Sequence, residues 1–113
     1  MSDQLTAGDS GYILARMRFA VILAPEAIED LRRLKANDRA AVKTALETHL
    51  RYEPRKTSRS RIKRLRGLGR PQYRLRVGEV RVFYDVTDAM VEVLAIVGKS
   101  EVEAWLAQFG SPE

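Results

Sequence analysis

The chain has no cysteine, one histidine and one tryptophan in 113 residues. The missing cysteine excludes a disulfide framework, a thiolate nucleophile and a zinc–thiolate site. With a single histidine, no His/Cys/carboxylate cluster has metal-ligand spacing, so neither metal nor cofactor is expected. Long apolar runs are missing too: nothing approaches the roughly 20 residues of a membrane-spanning helix. The first residues lack the basic start and apolar core of a secretory signal. A cytoplasmic location follows as the expectation.

What the chain has in excess is positive charge, and it is unevenly placed. Twenty Lys/Arg face fifteen Asp/Glu, for a formal charge of +5. Between Arg51 and Arg81 there are twelve basic residues and two acids, Glu53 and Glu79, while the remainder is net acidic. A basic block on a nearly balanced body is the footprint of a nucleic-acid surface, or of a face covered by an acidic protein.

Residues 1–16 are small, polar and without periodicity, which reads as a flexible N-terminal extension ahead of Met17. One domain is expected over 17–110, followed by a short tail, 111–113. Phe19 to Leu23 is a strand candidate. Pro25 suits the first turn of a helix that turns Ala27, Ile28, Leu31 and Leu34 inward. Asn37 reads as the N-cap of a second helix, which ends before Pro54. His49 falls on the apolar stripe of that helix, so packing is favoured over a general-base role. A basic connection follows, and strands are expected at about 72–77, 80–87 and 90–97. A last helix runs from Glu101 to Phe109, capped by Ser100 and stopped at Gly110. The order β-α-α-β-β-β-α predicts an α+β domain, an antiparallel four-stranded sheet packed against an N-terminal helical hairpin.

Period-two alternation places Arg74 and Arg76 opposite Tyr73, Leu75 and Val77, and Arg81 opposite Val80, Val82, Tyr84 and Val86. One sheet face therefore builds a core while the other carries guanidinium groups, a geometry suited to phosphate or carboxylate. Tyr73 and Tyr84 fall on the core parity and read as structural. Glu79 reads as a hairpin-turn residue.

Four blocks in order carry a family resemblance: Lys63-Arg64-Leu65-Arg66-Gly67, Tyr73-Arg74-Leu75-Arg76-Val77-Gly78, Val80-Arg81-Val82-Phe83-Tyr84 and Ile96-Val97-Gly98-Lys99. From Met17 to about Gly110 the chain resembles the RelE/ParE toxin superfamily of type II toxin–antitoxin systems. The resemblance implies a toxin neutralised by a cognate antitoxin, whose acidic C-terminal segment covers part of the arginine face. Operator DNA is then reached only through the antitoxin.

For activity, the resemblance implies a RelE-like, ribosome-dependent mRNA interferase, a metal-free endoribonuclease. Arg74, Arg76, Arg81 and Lys99 would serve the scissile phosphate, with Arg59, Arg61, Lys63, Arg64 and Arg66 as an RNA-binding arm. Two departures bear on this. Ser100 stands where the nuclease branch has an arginine, and Leu106, beside Trp105, stands where it has a tyrosine. The same scaffold serves ParE-like inhibitors of DNA gyrase and inactive toxins that act as antitoxin-bound co-repressors. Trp105 and Phe109 belong either to the antitoxin interface or to the packing of the last helix.

Overall fold

The computed structural model describes residues 18–113, so the expected N-terminal extension lies outside the described residues. Along the chain the elements are β1 (Ala20–Leu23), α1 (Pro25–Arg33), α2 (Ala36–Ala45), a π-helical turn (Leu46–Leu50) and β2 (Ile62–Arg64). Then come β3 (Leu68–Arg70), β4 (Tyr73–Val77), β5 (Val80–Val86), β6 (Met90–Gly98), a 3-10 turn (Lys99–Glu101), α3 (Val102–Phe109) and β7 (Ser111–Pro112).

The valine-rich segments after Pro71 form the expected meander. β4 and β5 are joined through Gly78, whose φ of +58° suits glycine at the head of a tight turn. The class is α+β, but the sheet is larger and mixed. Its five strands run β1-β6-β5-β4-β2, with β1 parallel to β6 and the other neighbours antiparallel. No tight turn joins β1 to β6; the helical hairpin and the meander intervene, so connectivity did not force an antiparallel pairing. β2 joins the other edge because Ile62 lies opposite Leu75 and buries with it.

The helical hairpin covers one face of the sheet. Leu50, Val42 and Ala27 pack there against Leu75, Val82, Tyr84, Val91 and Val93, all of them fully buried. Each large aliphatic side chain so placed contributes about 1.5–3 kcal/mol. Tyr73 and Tyr84 are core residues as expected; their rings stack 5.4 Å apart, and the Tyr84 hydroxyl donates to the Pro54 carbonyl at 2.7 Å. The helix break is two residues long. Arg39 Nη1 donates to the Leu34 carbonyl at 2.8 Å, capping the end of α1. Lys35, not Asn37, is the N-cap of α2, because the chain turns at partly buried Leu34.

The opposite face is not left to arginine alone. α3 lies on it, and Val102, Trp105 and Leu106 pack with Leu65 on Phe83, Ala95 and Val97. Ser100 does not cap this helix. The Gly98 N–H donates to Glu101 Oε1 at 3.4 Å, and Ser100 sits within the 3-10 turn. Beyond α3, β7 pairs with β3, so the short tail is a strand in a two-stranded sheet. A register shift between β5 and β6 leaves Leu94 as an extra residue, and Asp30 Oδ2 accepts from the Ile96 N–H at 3.0 Å beside it. This ties α1 to the sheet.

The arginine face, a candidate anion site

Strand register decides which of the basic residues meet. Arg76 lies directly opposite Arg81, Arg74 lies opposite Phe83, and Lys63 lies opposite Arg74 on the other side. Directly opposed side chains have Cβ atoms about 4.5–5.5 Å apart, and like charges so placed are destabilising. The fold thus gathers Arg74, Arg76 and Arg81 in one patch at an energetic cost.

Their environments differ. Arg81 is only 8% exposed, and its Nη1 donates to the Gly78 and Val80 carbonyls at 2.8 and 3.1 Å, bracing the β4–β5 hairpin. Arg76 is exposed. Arg74 lies between these extremes, with its Nε buried and lacking a hydrogen-bond partner. Burial first, and then the charges of Arg81 and Arg76, hold the Arg74 guanidinium below its usual range. None of the three is paired with a carboxylate among the described residues; Glu29 pairs with Arg32, Asp30 with Arg33, Glu47 with Arg51, and Asp85 and Glu92 with Arg70. An oxyanion here would give Arg74 a partner and offset the mutual repulsion.

Proton transfer is less well supplied than charge. Burial drives the Tyr84 phenol far above its usual range, and its proton is committed to Pro54. Lys63 and Lys99 are exposed amines at the border of the face; the Lys99 N–H donates to the Glu79 carbonyl at 2.8 Å, which sets Lys99 beside the hairpin turn. Ser100 is exposed, while Leu106 packs in the α3 cluster.

These features sit in a stretch with a recognisable family. Residues 21–103 match the family described as the ParE toxin of the type II toxin–antitoxin system parDE. The chain belongs to this toxin family. Its fold is similar to that of an archaeal RelE–RelB complex from Pyrococcus horikoshii, at 24% identity and a TM-score of 0.61, covering 74% of this chain and 97% of that one. It is also similar to the RelBE2 toxin–antitoxin complex from Mycobacterium tuberculosis, at 25% identity and a TM-score of 0.60, covering 73% and 92%. A third likeness is to a mutant Escherichia coli toxin RelE in the free state, at 21% and 0.50, covering 80% and 93%. No curated protein matches the chain significantly.

The fold divides the toxin's basic arm. Arg59 and Arg66 are exposed, and Lys63 shares the arginine face by register. Arg64 is engaged: Nη1 donates to the Leu65 and Gln72 carbonyls at 2.8 and 3.0 Å, its guanidinium lies 5.5 Å over the Tyr73 ring, and Nη2 is 3.9 Å from Glu113. Arg61 adjoins Arg76 at the head of β2, where the Arg76 N–H donates to its carbonyl at 2.8 Å, and it also borders a cavity with His49. His49 is half-buried in the π-helical turn and is not sealed in the core.

Sequence reasoning missed two supports of the toxin's arginine face. Gln72 ties β4 to β5 through two hydrogen bonds: its N–H donates to Asp85 Oδ1, and the Val86 N–H donates to Gln72 Oε1, both at 2.8 Å. Arg70 then bridges Asp85 and Glu92, each at 3.5 Å. The available signal was the lone acid Asp85 on a strand otherwise basic and apolar. Phe83 was the other, an aromatic on the same parity as Arg81 that required a cover.

Proposed function

We propose that this type II toxin is a RelE-like, ribosome-dependent mRNA interferase in which Arg74, Arg76 and Arg81 hold the scissile phosphate. The observation that carries the reading is the buried, unpartnered Nε of Arg74 beside two further guanidinium groups, those of Arg76 and Arg81. In the reaction, the RNA 2′-oxygen attacks the adjacent phosphorus, the bond to the 5′-oxygen breaks, and a cyclic phosphate and a 5′-hydroxyl result. Negative charge grows on the phosphoryl oxygens, and preorganised cations stabilise it most where water is excluded. Guanidinium groups stay charged, so they supply charge and not proton transfer. The exposed amines Lys63 and Lys99 and the solvent are the routes for the 2′ and 5′ protons. Arg59 and Arg66 track flanking phosphates, and Arg64 joins them by exchanging its contact with Glu113.

The likeness to complexes of RelE with RelB supports a cognate antitoxin as partner. Its acidic C-terminal segment covers the unpaired arginines in the resting complex and folds as it binds. Operator DNA is met through that antitoxin.

A second reading, inhibition of DNA gyrase, is favoured by the family match and by the absence of an imidazole or free phenol among the described residues of the arginine face. Pulse-labelling just after induction separates the two. Immediate loss of methionine incorporation with thymidine spared supports the nuclease. Early loss of thymidine incorporation identifies gyrase as the target and makes the arginines a binding surface.

A further inference from the structure

Between the π-helical turn and the loop that leads into β2 lies a cavity of about 260 Å³. It is smaller than the roughly 300–1,000 Å³ of small-molecule pockets. Thr48 and His49 enter it from the π-helical turn, Lys56, Thr57 and Ser58 from the following loop, and Arg61 from the start of β2. Three cation-forming residues and three hydroxyl residues thus line a space sized for one small group. Glu53 is the lone carboxylate at the rim, 3.9 Å from Lys56 in an exposed pair of little strength.

The loop is held in this shape before any ligand arrives. Tyr84 anchors the Pro54 carbonyl at 2.7 Å, Arg55 Nη2 donates to the Thr87 carbonyl at 3.2 Å, and the Ser58 N–H donates to the Ile62 carbonyl at 2.9 Å. Ser58 Oγ accepts from the N–H groups of Arg61 and Ile62 at 3.0 and 3.2 Å. With its lone pairs occupied, the hydroxyl has its proton left to donate. The loop therefore presents donors and cations, the complement of an oxyanion.

We propose that this cavity is a second anion site, taking one phosphate group between Arg61, Lys56, His49 and the Ser58 hydroxyl. It is independent of the toxin's cellular target. Burial, and next the charge of Arg61, keep the unliganded His49 imidazole below its usual pKa. A bound phosphate favours the charged imidazolium, so binding draws a proton onto His49 and raises its pKa. The charged groups facing His49 across the cavity are Arg61, Lys56 and Glu53.

His49 is the chain's sole histidine, so in tag-free protein its ring resonances report this site unambiguously. Inorganic phosphate is titrated into the full chain at constant ionic strength, set with chloride. The expected result is a saturable shift of the His49 ring protons and a raised His49 pKa. In the folded double variant Lys56→Met/Arg61→Met the affinity falls by about tenfold or more, as expected for lost charge-assisted donors. A single-stranded oligodeoxynucleotide that reproduces the shift, and competes with phosphate, assigns the site to a nucleic-acid backbone. A response to inorganic phosphate alone assigns it to a free phosphate ligand. Resonances that follow ionic strength only, or a double variant that binds like the parent, overturn the proposal.

Discussion

The indole of Trp105 lies parallel to the ring of Phe83, with centroids 4.9 Å apart and an interplanar angle of 3°. Phe83 faces the same side of β5 as Arg81, so this stack seats α3 beside the guanidinium patch. Phe109 leans on Trp105 at 5.4 Å and stays 54% exposed. Both residues thus belong to the packing of the last helix, and Phe109 also offers an apolar surface.

Truncating Trp105 to alanine should release α3 from the sheet. The ring is partly exposed, so the loss should be about 2–3 kcal/mol, below that of a fully buried tryptophan. Urea unfolding of the variant measures it. A change under about 0.5 kcal/mol would mean that α3 is held by Val102 and Leu106 instead.

Arg74 should be a residue kept for function against stability. Its Nε is buried without a partner and two like charges stand beside it. Arg74→Met removes the buried donor while keeping much of the aliphatic volume. Thermal stability should be unchanged or raised by up to about 1 kcal/mol, and growth arrest should be lost. A variant that is both less stable and fully toxic contradicts this assignment.

Arg81 and Arg76 face each other, yet their substitutions should separate. Arg81→Ala removes two hydrogen bonds to the hairpin carbonyls and should cost about 1–3 kcal/mol along with toxicity. Arg76→Ala, at an exposed position, should weaken toxicity with stability within about 0.5 kcal/mol of the parent. Induction assays with melting curves on the same variants test both halves. A folded, fully toxic Arg81→Ala protein would sink the phosphate role.

Tyr84 should shape the alkaline limb of stability. The folded protein holds its phenolic proton well above the usual value of about 10. Above pH 10 the unfolded chain releases this proton while the folded protein retains it. The stabilisation is therefore full below about pH 10 and is lost progressively as pH rises further. Tyr84→Phe should flatten that decline. It should also lower stability at neutral pH by about 1–3 kcal/mol, because the Pro54 carbonyl loses its donor. Denaturant midpoints measured from pH 8 to 11 give both effects.

Several elements were legible in the sequence because local rules decided them. Pro25 at the head of α1 and Gly78 in the tight turn act through backbone geometry alone, while Gly110 ends α3 where a Cβ would lie 2.7 Å from the Leu106 carbonyl oxygen. The alternation over Tyr73–Val77 and Val80–Val86 assigned each side chain to a face, and both tyrosines went to the core as that parity required. β2 escaped notice because three residues, two of them charged, carry no period. β3 and β7 are shorter still as paired units, and each exists only because the other is opposite.

The sequence by itself determined the fold class, the face that bears arginine and the concentration of charge between Arg51 and Arg81. Those follow from alternation and composition, which need no partner in space. The tertiary structure decided that β1 runs parallel to β6 and that α3 covers part of the basic face. It also decided that Arg81 is buried, that the Arg74 Nε lacks a partner and that Arg61 shares a cavity with His49. Each of these depends on which distant segments pack together, and burial and pairing are properties of the neighbour as much as of the residue.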